Sequence, residues 1–454
     1  MAIVYGFLSG CFGACVKEEI DVANLAEGRF MHSLAQELWN FPRSLTGDGV
    51  RATFDVLKNY LPGLTIHEVP SGTAAFDWTV PDEWNIRDAY LVGPDGTRII
   101  DFKNSNIHVV GYSDAIDVRL SLDELQPHLH SDPEHRSVIP YVTSYYNRVW
   151  GLCLPQDVRD QLQPGEYHAV IDSSLDPGSL TYGELVIPGD STDEVFISTY
   201  ICHPSLANNE LSGPVVSVAL ARWLMSLPAR KFTYRFVFVP ETIGAITYLS
   251  RNLAHLKANV VAGYQLTCIG DEGDYSYMES RLGGLPIDRI ARRAVLGTPQ
   301  PAIYSYLDRG SDERHYCSPG VDLPLISLMR TKYGSYPQYH SSADDLTFVT
   351  PAGLQGGFNL VQSCISEFES SIYYRTTVFA EPQLGKRGLY HAMHGRTVSD
   401  VILLRTNVLA YADGHHSLQD MAELFERPFE DIQAVVAELL EHGLLEEVPP
   451  MKGY

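Results

Sequence analysis

The chain has 454 residues, too many for one hydrophobic core, so two or three domains are expected, each burying its own. Its 45 % hydrophobic and 20 % charged composition is that of an ordinary soluble globular protein, and no apolar run is long enough to span a bilayer. A net charge of −23, from 56 acidic against 33 basic residues, repels nucleic acid and anionic membrane surfaces over most of the molecule and argues against both as partners.

In chain order, residues 1–20 come first. No Lys or Arg precedes the apolar stretch MAIVYGFLSGCFGACV, so it lacks the basic start of a secretory signal and reads as a disordered or mis-started extension. From Asp21 to Leu61 the pattern is helical, with Leu25, Phe30, Leu34, Leu38 and Trp39 in step and a second run over Asp48–Tyr60. From Thr65 to Tyr182 short β-type runs (TIHEV, AYLV, RIIDF, IHVVGY, EYHAVID) alternate with Pro, Gly and Asn/Asp breaks, with short helices expected at Asp123–His128 and Asp157–Gln161. This predicts a β-rich domain, 65–182, inserted into an α/β domain made of 21–64 and 183–380.

After Leu185 strands and helices alternate. Strands are predicted at Glu194–Ile201, Tyr234–Val239, Val260–Thr267 and Leu325–Met329, and helices at Ser212–Leu227, Ile243–Leu256, Pro286–Val295 and Pro351–Tyr373. Repeated βα units imply a mostly parallel sheet covered on both faces. Glu381–Arg387 reads as a linker. Beyond it, 388–454 offers helices at Thr397–Tyr411, Ser417–Phe425 and Phe429–Glu441 and a strand from Gly443, the outline of a winged helix. Its eleven acidic residues against four basic between His391 and Tyr454 favour protein contact or self-association over a phosphate backbone.

Chemistry concentrates after successive strands. Strand Glu194–Ile201 runs into a loop carrying His203, Asn208, Asn209 and Glu210, ahead of a helix with Ser212 as a plausible N-cap and Pro214 in its first turn. Glu241 follows the next strand in VPETIG. Asp312 and Arg314 lie in DRGSDERHY, and His340 lies in KYGSYPQYHSSADDL. Open α/β sheets place ligands at the carboxyl ends of their strands, and imidazole and carboxylate groups from converging loops are what metal sites use. Taken singly, each of these residues is a cap or a turn residue; together they look less accidental.

The order of His203 with ANNELSG, then PETIGA, GSDERHY and YHSSADDL resembles the zinc aminopeptidase and glutamate carboxypeptidase superfamily. IRDAYL, IIDFKN, TSYY, GSLTYGEL, CHPSLANNELSGP, CIGD and GSDERHYCSPG more closely resemble a bacterial aminopeptidase-like family. That family is often described as polysaccharide-biosynthesis-associated and carries a C-terminal winged helix. The resemblance implies the phosphorylase/hydrolase-like zinc-peptidase fold, a mixed, mostly parallel sheet with helices on both faces. The chain departs from the di-zinc pattern where the superfamily has metal-binding carboxylates: here stand Asn209, Thr242 and Thr267. Neutral side chains cannot supply the negative charge that two adjacent Zn²⁺ ions require. One zinc ion is therefore expected, held by His203, Glu210 and His340 with an open position, and Glu241 falls where the superfamily has its base. Asp344 is expected to orient His340. Asp312 is a rival ligand or an amine anchor, and Arg314 binds a substrate carboxylate or pairs with an internal acid. Asn209 is placed beside substrate and is, like Asp312, an alternative third ligand.

The leading expectation is a metal-dependent hydrolase of an amide bond, peptide or acylamino, in a small molecule, with a place in polysaccharide or natural-product biosynthesis. The alternative is a catalytically degenerate scaffold that binds an amino sugar or peptide; DNA-binding regulation ranks last. Seven scattered cysteines suit a reduced, cytoplasmic protein, with Cys202 packing rather than attacking. His415 and His416 read as a solvated helix start, and Tyr141, Tyr145, Tyr146, Tyr373 and Tyr374 as half-buried sheet or helix residues.

Overall fold

The structure, a computed structural model, describes residues 25–144, 147–390 and 399–451. The expected N-terminal extension and Tyr145 and Tyr146 lie outside the described residues.

Every residue of Glu194–Tyr200 is buried, as β-branched and aromatic side chains on both faces of a strand require. This strand is central in an eight-stranded mixed sheet, ordered Thr65–Pro70, Ser179–Ile187, Thr233–Val239, Glu194–Tyr200, Val260–Leu266, Leu325–Met329, Tyr275–Met278 and Pro301–Tyr304. Its four middle strands are parallel. Register runs from Glu194 opposite Thr233 to Tyr200 opposite Val239, so the loops carrying His203 and Glu241 leave the sheet level with each other.

Both faces are covered. Ile197, Phe236 and Tyr264 pack under helices Ala26–Leu38, Asp48–Tyr60, Ser212–Ser226 and Pro351–Ser370. Phe196 and Val237, on the other face, share one core with Tyr248 and Leu249 of helix Ile243–Asn259 and with Leu91, Ala169 and Ile171 of the insertion. The insertion's own sheet is antiparallel, ordered Arg98–Asp101, Glu83–Val92, Glu166–Asp176 and Ile116–Ser121.

Three boundaries differ from expectation. Thr65–Pro70 and Ser179–Ile187 pair with each other and extend the main sheet, so the insertion proper spans 71–178 rather than 65–182. Ser212 is no N-cap: a wide π-turn over Ala207–Leu211 already leads into the helix, and the Ser212 hydroxyl donates to the Asn208 carbonyl at 2.5 Å. Gly213 then passes so close to the sheet that a Cβ would sit 2.2 Å from Thr199 Oγ1. Last, Tyr373–Thr376 is a strand, not a helix end, and it lies between Asp413–Ser417 and Leu445–Val448 in the sheet of the C-terminal module. That module begins before the segment read as a linker, in which Leu384–Arg387 forms a 3₁₀ turn.

The module has its own core, including Val408, Met421, Ile432 and Leu439, under helices Asp400–Tyr411, Leu418–Leu424 and Phe429–Glu441. Arg293 ties it to the body through Asp420 at 2.7 Å and Glu423 at 3.2 Å. His415 is buried in a strand, and Arg289 donates to its carbonyl, so it is not the solvated helix start expected.

Candidate active site

Past Tyr200 the chain turns through Ile201, Cys202, His203 and Pro204 and enters the π-turn. The loop after His340 closes over that turn. Asp344 accepts from the amides of Asn208 at 2.6 Å and Asn209 at 2.9 Å, and its carbonyl accepts from Ala207 N at 2.8 Å. Asp344 therefore caps the helix after His203 instead of orienting His340, because both its oxygens are committed to amides. Burial, opposed by those amides, pushes its carboxyl up to about 7.

His203 is buried with Nδ1 2.8 Å from Glu210 Oε2. The other Glu210 oxygen lies 3.3 Å from Arg43 Nε, and both side chains are 0 % exposed. The Arg43 guanidinium is clamped on the carbonyls of His203 (2.9 Å), Leu38 (2.7 Å) and Pro204 (3.3 Å). Burial lowers the His203 pKa, but the Glu210 carboxylate outweighs it, and the net shift is upward. On its other side His203 Nε2 lies 3.6 Å from Glu241 Oε2, whose side chain is 18 % exposed. Burial raises the Glu241 carboxyl, opposed by His203.

Glu241 is presented by a strained turn: Thr242 has φ of 63°, a cost that β-branched residues accept only when their surroundings enforce it. Here Asp312 Oδ1 accepts from Thr242 N at 2.8 Å, and Arg314 donates to Thr242 Oγ1 at 2.6 Å. Arg314 thus braces the turn, and Asp312 keeps its second oxygen, buried, without a hydrogen-bond partner. Burial holds the Asp312 carboxyl well above its ordinary value.

His340 also has positive φ, 53°, and stacks on Tyr339 with ring centroids 3.9 Å apart. Its ring lies 5.8 Å from that of His203, and Tyr141 of the insertion sits 5.1 Å from each. Tyr141 N donates to the His340 carbonyl at 2.8 Å, which fixes the insertion against this loop. Burial, helped by His203, pushes the His340 imidazole down to about 3. Cys202 is no nucleophile: burial holds its thiol well above the ordinary value, and its sulfur accepts from Glu241 N at 3.2 Å.

The donor set fits one cation better than two. Zn–N bonds of about 2 Å place two imidazoles on a shared ion with ring centres about 5–6 Å apart, and the observed separation is 5.8 Å. Asn209 Oδ1 is, like Asp312 Oδ2, a buried acceptor with no hydrogen-bond partner. A second ion would lack carboxylates at positions 209, 242 and 267, where neutral Asn209, Thr242 and Thr267 stand. Asn209 Nδ2 donates to Tyr200 Oη at 2.7 Å, and Tyr200 in turn bonds the Thr267 hydroxyl. The expected trio of His203, Glu210 and His340 is not what the fold gathers. Among the described residues, the group of three with ligand atoms within 4.8 Å of one another is Cys202, His203 and Glu210. In it Glu210 already faces His203 Nδ1 and Arg43, so it acts as a partner of the imidazole rather than as a ligand.

Glu241 and His203 line a narrow cleft together with Trp84, Phe102, Tyr112 and Tyr141 of the insertion. Arg43 and this aromatic wall escaped the sequence reading. Arg43 carries one signal, a lone charge in the otherwise uncharged segment FPRSLTG.

A protein of Clostridium acetobutylicum, provisionally named as a polysaccharide biosynthesis protein with aminopeptidase-like domain, is 43 % identical over 412 residues, covering 89 % of this chain and 94 % of that protein. A crystal structure from the same organism, provisionally described as a peptidase, superposes with a TM-score of 0.79 at 41 % identity, covering 93 % of this chain and 97 % of that one. A zinc aminopeptidase of Bacillus subtilis shares the fold alone, with a TM-score of 0.52 at 13 % identity over 75 % of this chain and 94 % of that one. Residues 371–447 match the winged helix-turn-helix family. With residues 32–371 matching the family model described as a domain of unknown function, DUF4910, the chain belongs to that family and has an aminopeptidase-like fold.

Proposed function

We infer that this protein is a hydrolase that cleaves an amide bond, peptide or acylamino, in a small molecule bound between the sheet edge and the insertion. The observation that carries the reading is Glu241: a part-exposed carboxylate at the cleft floor, 3.6 Å from His203 Nε2. A single zinc ion would be held by His203 and His340, with the orphaned oxygen of Asn209 or Asp312 as a further donor. When bound, such an ion supplies Lewis-acid polarisation of the scissile carbonyl. Glu241 takes a proton from the attacking water and delivers it to the amine as the C–N bond breaks. Tyr141 and Trp84 bound the substrate opposite this base, and the braced Thr242 turn keeps the carboxylate aimed at the cleft.

The relative's name supports a role in polysaccharide biosynthesis. Among the described residues, five buried free cysteines suit a reduced, cytoplasmic setting, and no helix is long and apolar enough to cross a membrane. The acidic C-terminal module suits contact with protein rather than nucleic acid. A binding scaffold is the second reading, favoured by the hydrogen bonds that join Asn209, Tyr200 and Thr267 where carboxylates would be needed. Turnover of a panel of aminoacyl and acylamino amides separates the two. Glu241→Gln is expected to lower kcat about 10²–10⁴-fold with zinc content unchanged. Equal turnover by the variant, or none by the zinc-loaded wild type across the panel, contradicts the hydrolase.

A further inference from the structure

We propose that Arg43 and Glu210 form a positioning pair that locks His203 in its Nδ1–H tautomer and leaves the Nε2 lone pair facing Glu241 and the cleft. The assignment follows from the donor inventory. A carboxylate only accepts, so the 2.8 Å contact between His203 Nδ1 and Glu210 Oε2 requires the proton on Nδ1. Arg43 supplies the counter-charge for the other Glu210 oxygen at 3.3 Å, with no solvent reaching either side chain. The pair is built by the fold, because the guanidinium also holds the carbonyls of His203 and Pro204 and so fixes the ring's own backbone. Leu38 anchors the same guanidinium to the end of the first helix, so the order of this loop originates about 160 residues away in the chain.

Arg43 also decides what a neutral substitute for Glu210 would do. In Glu210→Gln the guanidinium attracts the amide oxygen, and the amide nitrogen is left to face His203 Nδ1. Nδ1 must then accept, and the proton moves to Nε2. Glutamine thus keeps the shape of the site but inverts the tautomer.

The test is nitrogen-15 NMR of the full chain labelled at histidine, metal-free, in mildly alkaline buffer, with the His203 resonances assigned through His203→Gln. Wild type is expected to show His203 protonated at Nδ1, and Glu210→Gln to show it protonated at Nε2, with a melting temperature lowered because the buried Arg43 loses its counter-charge and with the native fold checked by circular dichroism. Zinc affinity, measured by competition with a chelator, is expected to fall about 10- to 100-fold in the variant, the usual effect of losing a carboxylate behind a ligating imidazole. A wild-type His203 protonated at Nε2 overturns the proposal and needs no variant to fold. A Glu210→Gln protein that retains Nδ1–H overturns the ordering role of Arg43. Only the zinc arm rests on the hydrolase reading: wild type that keeps the Nδ1–H tautomer but binds no zinc contradicts that reading and leaves the positioning pair standing.

Discussion

Arg43 meets three carbonyls and one buried carboxylate with the five N–H donors of a single planar group. Arg43→Met fills similar volume but leaves Glu210 with no cationic partner and the carbonyls of Leu38, His203 and Pro204 without that donor. A loss of about 3–5 kcal/mol is expected, read by urea denaturation; a loss under about 1 kcal/mol contradicts the account of this residue. His203, Glu241 and His340 could be picked out because each follows a strand in a polar loop that needs a reason to be there. The partners of His203 could not be ranked from spacing alone. Glu210, seven residues away, looked like a ligand until the structure set Arg43 behind it, and Asp344, four residues from His340, serves the helix after His203 instead. Contacts across 160 residues of sequence leave no periodic trace.

Among the elements, the strand pairs next to Glu194–Tyr200 were readable because continuous apolar runs bounded by turn residues have few other uses. The edges were not. Tyr275–Met278 and Pro301–Tyr304 are only four residues each, too short for an alternation to declare itself, and Tyr373–Thr376 directly follows a long helix. The joint between insertion and body depends on Glu83, which accepts from Arg51 of helix Asp48–Tyr60 at 2.8 Å, from Asn85 at 2.9 Å and from Ser179 N at 2.9 Å. Arg51 pulls the Glu83 carboxyl from its ordinary 4.5 down to about 2, against the effect of partial burial. Because the folded-state value lies below the ordinary one, the pair contributes fully above the ordinary value and loses its contribution as pH falls toward about 2. Glu83→Gln is therefore expected to be less stable than wild type by about 1 kcal/mol near neutrality, with the gap closing in acid. A gap that widens on acidification contradicts the pairing.

At the scale of the whole molecule, the insertion is a wall of the cleft and not an independent domain: Phe196 and Val237 of the main sheet share a core with Leu91 and Ile171. Its β-rich character was legible, whereas its union with the body was not, since a shared core leaves no boundary in composition. The C-terminal module, by contrast, keeps its own core and meets the body through ion pairs of Arg289 and Arg293 with Asp420 and of Arg293 with Glu423. Arg293→Ala is expected to speed amide exchange in helix Leu418–Leu424 while leaving strand Glu194–Tyr200 unaffected. Unchanged exchange in that helix would show that other contacts hold the module. The central claim, that one cation joins two distant imidazoles beside Glu241, is tested most directly by an anomalous difference map at the zinc edge from a zinc-grown crystal of the full chain. The account predicts one peak about 2 Å from an imidazole nitrogen of both His203 and His340. Two peaks, no peak, or one peak seated between Cys202 and Glu210 would contradict it.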